Sequence, residues 1–314
     1  MKLKSLLFIA IVAIVFCGCQ SNYQPTSITV ASYNLRNANG SDSVNGNGWG
    51  QRYPVIAQMV QYHDFDIFGT QECFIHQLKD MKEALPGYDY IGVGRDDGKE
   101  KGEHSAIFYR TDKFDVIEKG DFWLSETPDV PSKGWDAVLP RICSWGHFKC
   151  KDTGFEFLFF NLHMDHIGKK ARVESAFLVQ DKMKELGKDL PAILTGDFNV
   201  DQTHQSYDAF VSKRVLCDSY EKCDFRYAIN GTFNDFDPDS FTESRIDHVF
   251  VSPSFHVKRY GVLTDTYRSI VGNGEKKQAN DCPEEIDIKA YQARTPSDHF
   301  PVKVELEFDE RQQK

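Results

Sequence analysis

Several short apolar runs in this chain each end in acid, amide or imidazole residues, and this pattern limits the folds that the chain can adopt. Residues 155–160 are followed by Asn161 and His163, and residues 191–195 are followed by Asp197. Apolar runs of this length predict buried β-strands. Polar residues directly after such strands are rarely needed for packing and more often serve binding or catalysis. We therefore expect a sheet fold whose strand ends form a functional edge.

The rest of the chain alternates between helical and strand periodicity. Apolar residues at helical spacing predict helices at residues 54–60, 75–85 and 171–186, with Pro54 in the first turn of the first helix. Short β-branched and aromatic runs predict strands at residues 28–33, 66–69, 105–109, 114–118, 142–149, 155–160, 191–195, 246–252 and 300–308. Helices among so many strands predict an α/β (α+β) fold, in which two mixed β-sheets pack face to face and are flanked by helices.

The first 19 residues have the layout of a bacterial export signal. Lys2 and Lys4 precede an apolar run at residues 6–16, and Cys19 follows a small residue. The apolar run is too short to span a bilayer comfortably, and a cysteine in this position resembles the bacterial lipoprotein signal. We predict cleavage before Cys19, lipidation of Cys19 and anchoring of the exported protein to a membrane of the bacterial cell envelope. An ordinary secretory signal or an uncleaved anchor is the alternative, and either would also place the protein outside the cytoplasm.

The rest of the chain has the length and composition of one domain. We expect a short tether at residues 20–27, one folded domain at residues 28–308 and a tail at residues 309–314, because no linker-like segment interrupts the domain. The chain has 37 basic and 47 acidic residues and a formal net charge of −10. Such a surface neutralises few phosphates, so nucleic acid stays a candidate partner but is not favoured. Nothing in the sequence indicates an oligomeric state.

The cysteines outside the predicted signal do not indicate a metal site. Cys217 with Cys223, and Cys143 with Cys150, are close enough in sequence to form disulfides, although spacing alone decides neither pairing. No Cys-x-x-Cys pair indicates zinc.

Oxygen-bearing side chains at the predicted strand ends are suited to a hard divalent cation. Glu72 follows the predicted strand at residues 66–69, and Asn34 and Asp298 also lie beside predicted strands. Magnesium prefers such oxygen ligands and keeps water at its remaining positions. The alternative for Glu72 is a carboxylate that only stabilises the N-terminus of the next helix.

Other strand-end groups have the chemistry of a hydrolytic site. Asp197 and Asn199 are two residues apart, so on an extended segment both could reach one phosphate or one water, although a simple turn would use the same residues. His299 could form a dyad with Asp247, which would hold the imidazole in one tautomer. His163 could donate to a phosphate oxygen or to the leaving group. His299 could instead be merely hydrogen-bonded at a strand end.

In chain order, these motifs resemble the endonuclease/exonuclease/phosphatase superfamily. The motifs that carry the resemblance are Ser32-Tyr33-Asn34, Gln71-Glu72, Asn161-Leu162-His163, Gly196-Asp197-Phe198-Asn199, Arg245-Ile246-Asp247 and Ser297-Asp298-His299. The resemblance implies a four-layer α/β sandwich and a Mg²⁺ or Mn²⁺ ion held chiefly by Glu72, with support from Asn34 and Asp298. It also implies catalytic roles for His163, Asp197, Asn199, Asp247 and His299. Asp197 and the pair of Asp247 and His299 are the contenders for water activation, and we predict His299 as the general base.

The sequence thus predicts a divalent-metal-dependent hydrolase of phosphate esters, with water as the nucleophile. Arg141 and Asn161 are candidate substrate contacts, because the planar guanidinium of Arg141 fits two phosphate oxygens. A salt bridge at the rim is the alternative for Arg141. The substrate could be a monoester or diester of a small molecule, a lipid, a sugar or a nucleic acid. The alternative from another class is a surface-anchored binding protein that keeps the fold without the activity.

Overall fold

The computed structural model describes residues 25–187, 190–212, 215–276, 283, 286 and 288–309. The predicted export signal with Cys19, most of the predicted tether and residues 310–314 of the predicted tail lie outside this part of the chain. None of the helices that are described is both long and apolar enough to cross a membrane.

The described chain alternates between strands and helices. The strands, in chain order, are β1 (Thr26–Asn34), β2 (Ile67–Gln71), β3 (Tyr88–Ile91), β4 (Ile107–Arg110), β5 (Phe114–Trp123), β6 (Ile142–Cys150), β7 (Glu156–His163), β8 (Ala192–Asp197), β9 (Cys217–Asp218), β10 (Phe225–Tyr227), β11 (Asp247–Val251), β12 (His256–Val262), β13 (Tyr267–Ile270), β14 (Tyr291–Arg294) and β15 (Val302–Phe308). The helices are α1 (Gly40–Val44), α2 (Trp49–Tyr62), α3 (Ile75–Ala84), α4 (Lys169–Gly187), α5 (Gln205–Val211) and α6 (Ser219–Lys222).

The strands form two large mixed sheets and one small one. The seven-stranded sheet has the order β10-β12-β15-β1-β2-β4-β3, the six-stranded sheet has the order β5-β6-β7-β8-β11-β9, and β13 pairs with β14. Strands β1 and β2 are parallel near the middle of the first large sheet, as are β7 and β8 in the second, and β10 and β12 form a further parallel pair at the edge of the first. Central strands are covered on both faces, which agrees with the continuous apolar runs that predicted them.

The two large sheets pack face to face. Val30 and Ile67 of the seven-stranded sheet share one buried apolar cluster with Phe157, Phe159 and Ile193 of the six-stranded sheet. Helices α2 and α3 cover the outer face of the first sheet, and α4 and α5 cover the outer face of the second. The result is the predicted four-layer α/β sandwich.

The side-chain amide of Asn161 lies between the sheets, close to the functional edge, and is the centre of a hydrogen-bonded polar group. Asn161 Oδ1 accepts hydrogen bonds from Gln71 Nε2 at 2.7 Å and Thr195 Oγ1 at 3.0 Å. Asn161 Nδ2 donates to the carbonyl oxygens of Thr70 at 2.8 Å and Ala106 at 3.0 Å. The side chain can approach this closely because residue 69 is glycine, where a Cβ atom would lie 2.2 Å from Asn161 Oδ1. The group ties β2 to β7 and β8, and so fixes the relative position of their ends.

Two sequence expectations are corrected or resolved. Helix α2 begins at Trp49, so Pro54 lies in its second turn, not in the first as predicted. The proline removes a hydrogen bond to the carbonyl of Gly50, and this is tolerated because Gly50 is exposed to water. Cys217 and Cys223, like Cys143 and Cys150, have free thiols and form no disulfide with each other.

Candidate active site

The candidate site lies at the end of the sandwich where the central strands of both sheets terminate. The register of β1 and β2 pairs Asn34 with Gln71, directly before Glu72. In the second sheet, His163 pairs with Asp197 across β7 and β8, and Asp247 pairs with Asp197 across β11 and β8. The segment before β15 then brings Asp298 and His299 to the same edge, where Asn234 N donates to the Asp298 carbonyl oxygen. The topology thus collects residues that are more than 200 positions apart in the chain.

Asn34 and Glu72 form one side of the site. Asn34 Nδ2 donates to Glu72 Oε1 and to Asp197 Oδ2, each at 3.0 Å, and Asn34 Oδ1 accepts from the Arg36 backbone nitrogen at 2.9 Å. Glu72 Oε2 accepts from the backbone and side-chain nitrogens of Asn37, each at 3.1 Å. The amide of Asn34 therefore holds the two carboxylates in place through its nitrogen.

The carboxylates of the site fit a divalent cation. Glu72, Asp197 and His299 each offer one ligand atom, and these atoms all lie within 4.8 Å of one another. Burial, together with neighbouring Asp247, raises the pKa of Asp197 to about 7. Burial, together with neighbouring Glu72, raises the pKa of Asp298 to about 6 despite the opposing effect of His299. The negative charges of these buried carboxylates repel one another. A small divalent cation prefers hard oxygen ligands of this kind, and its positive charge would offset the repulsion.

His299 and Asp247 form the predicted dyad. His299 Nδ1 lies 2.8 Å from Asp247 Oδ2, and His299 Nε2 lies 3.8 Å from Asp197 Oδ2. Burial by itself would lower the pKa of His299, but Asp247, Asp197 and Asp298 raise it well above its ordinary value. The neighbouring carboxylates therefore favour the charged form of the imidazole, which donates hydrogen bonds. The role of His299 as the general base stays a prediction.

His163 and Asn199 form a neutral pair on the opposite side. Asn199 Nδ2 lies 3.0 Å from His163 Nε2 and donates to the Met164 carbonyl oxygen at 2.9 Å, which fixes the orientation of the amide. Burial, with the nearby charge of Arg141, lowers the pKa of His163 well below its ordinary value. His163 Nε2 therefore accepts, and the proton lies on Nδ1. Nδ1 is buried and has no hydrogen-bond partner among the residues that the structure describes.

The segment that carries Asn199 is both a turn and part of the site, so the two interpretations of this motif are compatible. The backbone nitrogen of Asn199 donates to Asp197 Oδ1 at 2.9 Å, which closes an Asx-type turn. Asn199 and Glu72 both have left-handed backbones, with φ of 50° and 68°. Non-glycine residues rarely adopt this conformation, and it is found preferentially at functional sites.

Arg141 lies in the cleft, whereas Asn161 does not. Arg141 is 3% exposed, borders the cleft and forms a buried ion pair with Asp165. Arg141 therefore does form a salt bridge, but inside the cleft and not at a rim, and its role as a substrate contact stays a prediction. Asn161 is fully buried between the sheets, where both atoms of its amide already bond the neighbouring strands. This placement corrects the prediction of a substrate contact for Asn161.

The cleft around these groups has a volume of about 470 Å³. Its walls include residues that strand-end reasoning did not find. Arg36 Nη1 lies 3.3 Å from Asp298 Oδ2. His166 borders the cleft beside Arg141, while Leu139 and Phe233 present apolar surface and are 38% and 41% exposed. All four lie in loops, where no periodicity in the sequence indicates a function.

Comparison with known proteins identifies close relatives. A family model described as "Endonuclease/Exonuclease/phosphatase family" matches residues 31–299. A mannosyl-6-phosphatase of Bacteroides thetaiotaomicron VPI-5482 has 86% sequence identity and a TM-score of 0.82, over 89% of this chain and 99% of its own. An endonuclease/exonuclease/phosphatase family protein of Bacteroides thetaiotaomicron has 86% identity and a TM-score of 0.85, over 91% of this chain and 100% of its own.

A more distant relative occurs in a virus. An uncharacterized protein of Acanthamoeba polyphaga mimivirus is 31% identical over 274 residues, which are 82% of this chain and 92% of the viral protein. The family match begins before Asn34 and ends at His299, so it contains every side chain assigned to the site above.

Proposed function

The chain belongs to the endonuclease/exonuclease/phosphatase family and is a hydrolase of phosphoester bonds, and on that premise we propose that it is a divalent-metal-dependent phosphomonoesterase that removes the 6-phosphate of mannose. The choice of mannose 6-phosphate as the substrate is supported by the 86% identity with the Bacteroides thetaiotaomicron mannosyl-6-phosphatase over 89% of this chain.

The shape and chemistry of the cleft support a sugar phosphate. The hydrolytic side chains lie inside a cleft of about 470 Å³, which can hold a small ligand. Leu139 and Phe233 border this cleft with exposed apolar surface, which can contact the apolar face of a pyranose ring. Long nucleic acid is less well supported as a substrate, because the net charge of −10 disfavours binding of a polyanion.

Glu72 and Asp298 would hold Mg²⁺ or Mn²⁺, since the charge of Glu72 is close enough to raise the pKa of Asp298. Asn34 would keep Glu72 and Asp197 in position through its amide nitrogen. When bound there, the cation would supply positive charge to the phosphoryl oxygens. The raised pKa values of Asp197 and Asp298 support this assignment, because an added positive charge offsets the repulsion between the carboxylates.

Asp197 would accept the proton of the attacking water. Asp197 Oδ2 accepts from Asn34 Nδ2 at 3.0 Å and lies 3.8 Å from His299 Nε2, so this carboxylate borders the place where the phosphoryl group and the attacking water would meet. His299, held in its charged form by Asp247, would donate to a phosphoryl oxygen on which negative charge builds up. His163 would donate from its unpaired Nδ1 to a second phosphoryl oxygen, and Asn199 would hold its ring in position.

Hydrolysis of a small panel of esters, each followed by its own product, tests this proposal. The purified protein with Mg²⁺ would be given mannose 6-phosphate, glucose 6-phosphate, bis(p-nitrophenyl) phosphate, plasmid DNA and sphingomyelin. We expect the highest kcat/KM for mannose 6-phosphate, with loss of activity in EDTA and in His299→Ala. Turnover that persists in EDTA would contradict metal dependence, and faster cleavage of plasmid DNA would contradict the substrate class. Absence of turnover on every ester would favour the alternative of a binding protein.

We also propose that Cys19 is lipidated and anchors the exported enzyme to a membrane of the cell envelope, as the layout of residues 1–19 predicts. The test compares the full-length chain with Cys19→Ser expressed in a bacterium, using mass spectrometry of the N-terminal peptide. We expect a diacylglyceryl group on Cys19 and loss of membrane fractionation in the variant. An unmodified N-terminus with soluble export would instead indicate an ordinary secretory signal.

A further inference from the structure

Arg141 and His166 form a contact that the mechanism above does not use. Arg141 Nη2 lies 3.0 Å from His166 Nδ1. A guanidinium can only donate, so His166 Nδ1 accepts and the ring is the neutral tautomer with its proton on Nε2. The His166 side chain is exposed and borders the cleft. Its Nε2 therefore carries the proton and can donate a hydrogen bond to a ligand.

Arg141 brings a second unused donor to the same place. Its Nε lies 3.4 Å from Asp165 Oδ2 and its Nη2 contacts His166, but its Nη1 has no partner within the described part of the chain. The residue is only 3% exposed. A buried donor without a partner is unfavourable, and more so when it is charged. Because Arg141 borders the cleft, this nitrogen is suited to an anionic oxygen of a ligand.

Asp165 makes the pair rigid before any ligand arrives. Its Oδ1 accepts from the backbone nitrogens of Gly168 at 2.7 Å and Ile167 at 3.0 Å, in the loop that carries His166. Its Oδ2 accepts from the backbone nitrogen of Val138 at 3.2 Å, in the loop that leads to Arg141. One carboxylate thus positions both loops, and its charge is shared among these donors and Arg141. Donors held in this way lose little freedom on binding.

Phosphate monoesters and diesters differ in what they offer to such donors. A monoester dianion has three non-esterified oxygens, whereas a diester has two and carries one negative charge less. His299 and His163 already account for donors to two oxygens in the mechanism proposed above. In a diester the third position is an ester oxygen with a bulky substituent, which is a poor partner for a charged donor.

We infer that Arg141 and His166 together bind the third non-esterified phosphoryl oxygen and make the enzyme select monoesters over diesters. This inference rests on the proposed phosphomonoesterase function and names the residues that decide the substrate class. Arg141 supplies the charge, His166 Nε2 supplies the second hydrogen bond, and Asp165 is the positioning residue for both.

The test uses two esters with the same leaving group. The full-length protein with Mg²⁺ is assayed on p-nitrophenyl phosphate and on bis(p-nitrophenyl) phosphate. We expect His166→Ala to lower kcat/KM for the monoester about tenfold and to leave the diester value within about twofold, as one lost hydrogen bond to a charged group would do. Arg141→Lys should lower the monoester value further, because lysine keeps the charge but cannot bond both His166 and the oxygen. Ile167→Ala, in the same loop, is the matched control and should change neither value.

A binding measurement separates this inference from the proposed function. Calorimetry with methyl phosphate and dimethyl phosphate requires no turnover. We expect His166→Ala to weaken methyl phosphate binding about tenfold and to leave dimethyl phosphate unchanged. Equal losses for both ligands, or no loss for either, would overturn the role of the pair. If wild-type protein hydrolysed neither ester but showed this difference in binding, the proposed function would fail and the subsite would stand.

Discussion

Asp247 Oδ2 lies 2.8 Å from His299 Nδ1, and this contact joins the two sheets at the site. Asp247 begins β11 of the six-stranded sheet, whereas His299 lies just before β15 of the seven-stranded sheet. Both side chains are almost completely buried, so water cannot replace either partner easily. The orientation and the charge of His299 therefore depend on one carboxylate of the opposite sheet.

Asp247→Asn should lower kcat by about 10²–10⁴-fold, because the neutral amide does not stabilise the imidazolium. Steady-state phosphate release measures the effect. Asp224→Asn is a matched control, since Asp224 forms a similar contact with His256 at 2.8 Å on the exposed surface. The control should keep wild-type kcat, and a comparable loss in the two variants would remove the special role of Asp247.

Glu72→Gln should weaken Mn²⁺ binding by at least about tenfold, because changes to groups that merely support metal ligands already cost about 10–100-fold. Isothermal titration calorimetry of the purified protein measures the affinity directly. Glu100→Gln is the control, since Glu100 is an exposed acid that pairs with Lys79 away from the cleft. Unchanged affinity in Glu72→Gln would mean that the cation is held by other groups.

Asp197→Asn should change thermal stability in a way that depends on pH. The pKa of Asp197 is raised from an ordinary value of 3.8 to about 7. A raised pKa contributes stability below the ordinary value, and this contribution is lost as pH rises through the folded value. In EDTA, the Tm advantage of the variant over wild-type should therefore grow from pH 5 to pH 7, so that the variant melts several degrees higher at pH 8.5, at about 2–4 °C per kcal/mol.

At pH 8.5, Mg²⁺ should make the Tm of the wild-type protein higher than that of Asp197→Asn. The ionised carboxylate of the wild-type protein attracts the cation, and the amide does not. Differential scanning calorimetry at both pH values, with and without Mg²⁺, checks each part. A Tm difference in EDTA that is the same at both pH values would contradict the assignment of the titration to Asp197.

Asn161→Ala should reduce stability and leave substrate binding almost unchanged. The substitution removes the partners of two buried carbonyl oxygens and of the donors on Gln71 and Thr195. We expect a loss of at least about 3 kcal/mol and a Tm decrease of about 6–12 °C, with KM within about twofold. Asn273→Ala, in an exposed loop, is the control. A large increase in KM without a decrease in Tm would restore the predicted substrate contact.

Much of the fold could be predicted because its central strands have strong sequence signals. Strands β1, β2, β7 and β8 are buried along most of their length, so their apolar runs are continuous and end abruptly at polar residues. Strand β10, with all three of its residues exposed, and strand β12, which carries exposed charges, have no such signal and were not predicted. Their positions depend on pairing with distant strands, which local pattern does not encode.

The candidate site was predictable to the extent that strand ends supply it. The set of Glu72, His163, Asp197, Asp247 and His299 was found from the sequence and is brought together at one edge. Loop residues were not found in the same way. His166 and Phe233 reach the cleft only because loops after β7 and before β11 fold over it. Conversely, Asn161 has the same strand-end context as His163, and only its side-chain direction separates packing from chemistry.

The division of the site between two sheets has a consequence for how the enzyme gains its activity during folding. Glu72 comes from one sheet and Asp197 from the other, and Asn34 Nδ2 bridges them at 3.0 Å on each side. Either sheet alone would carry only some of the active-site side chains, even if that sheet were fully folded. Turnover is therefore a reporter of sheet docking, an event that depends on contacts between distant parts of the chain and is correspondingly slow.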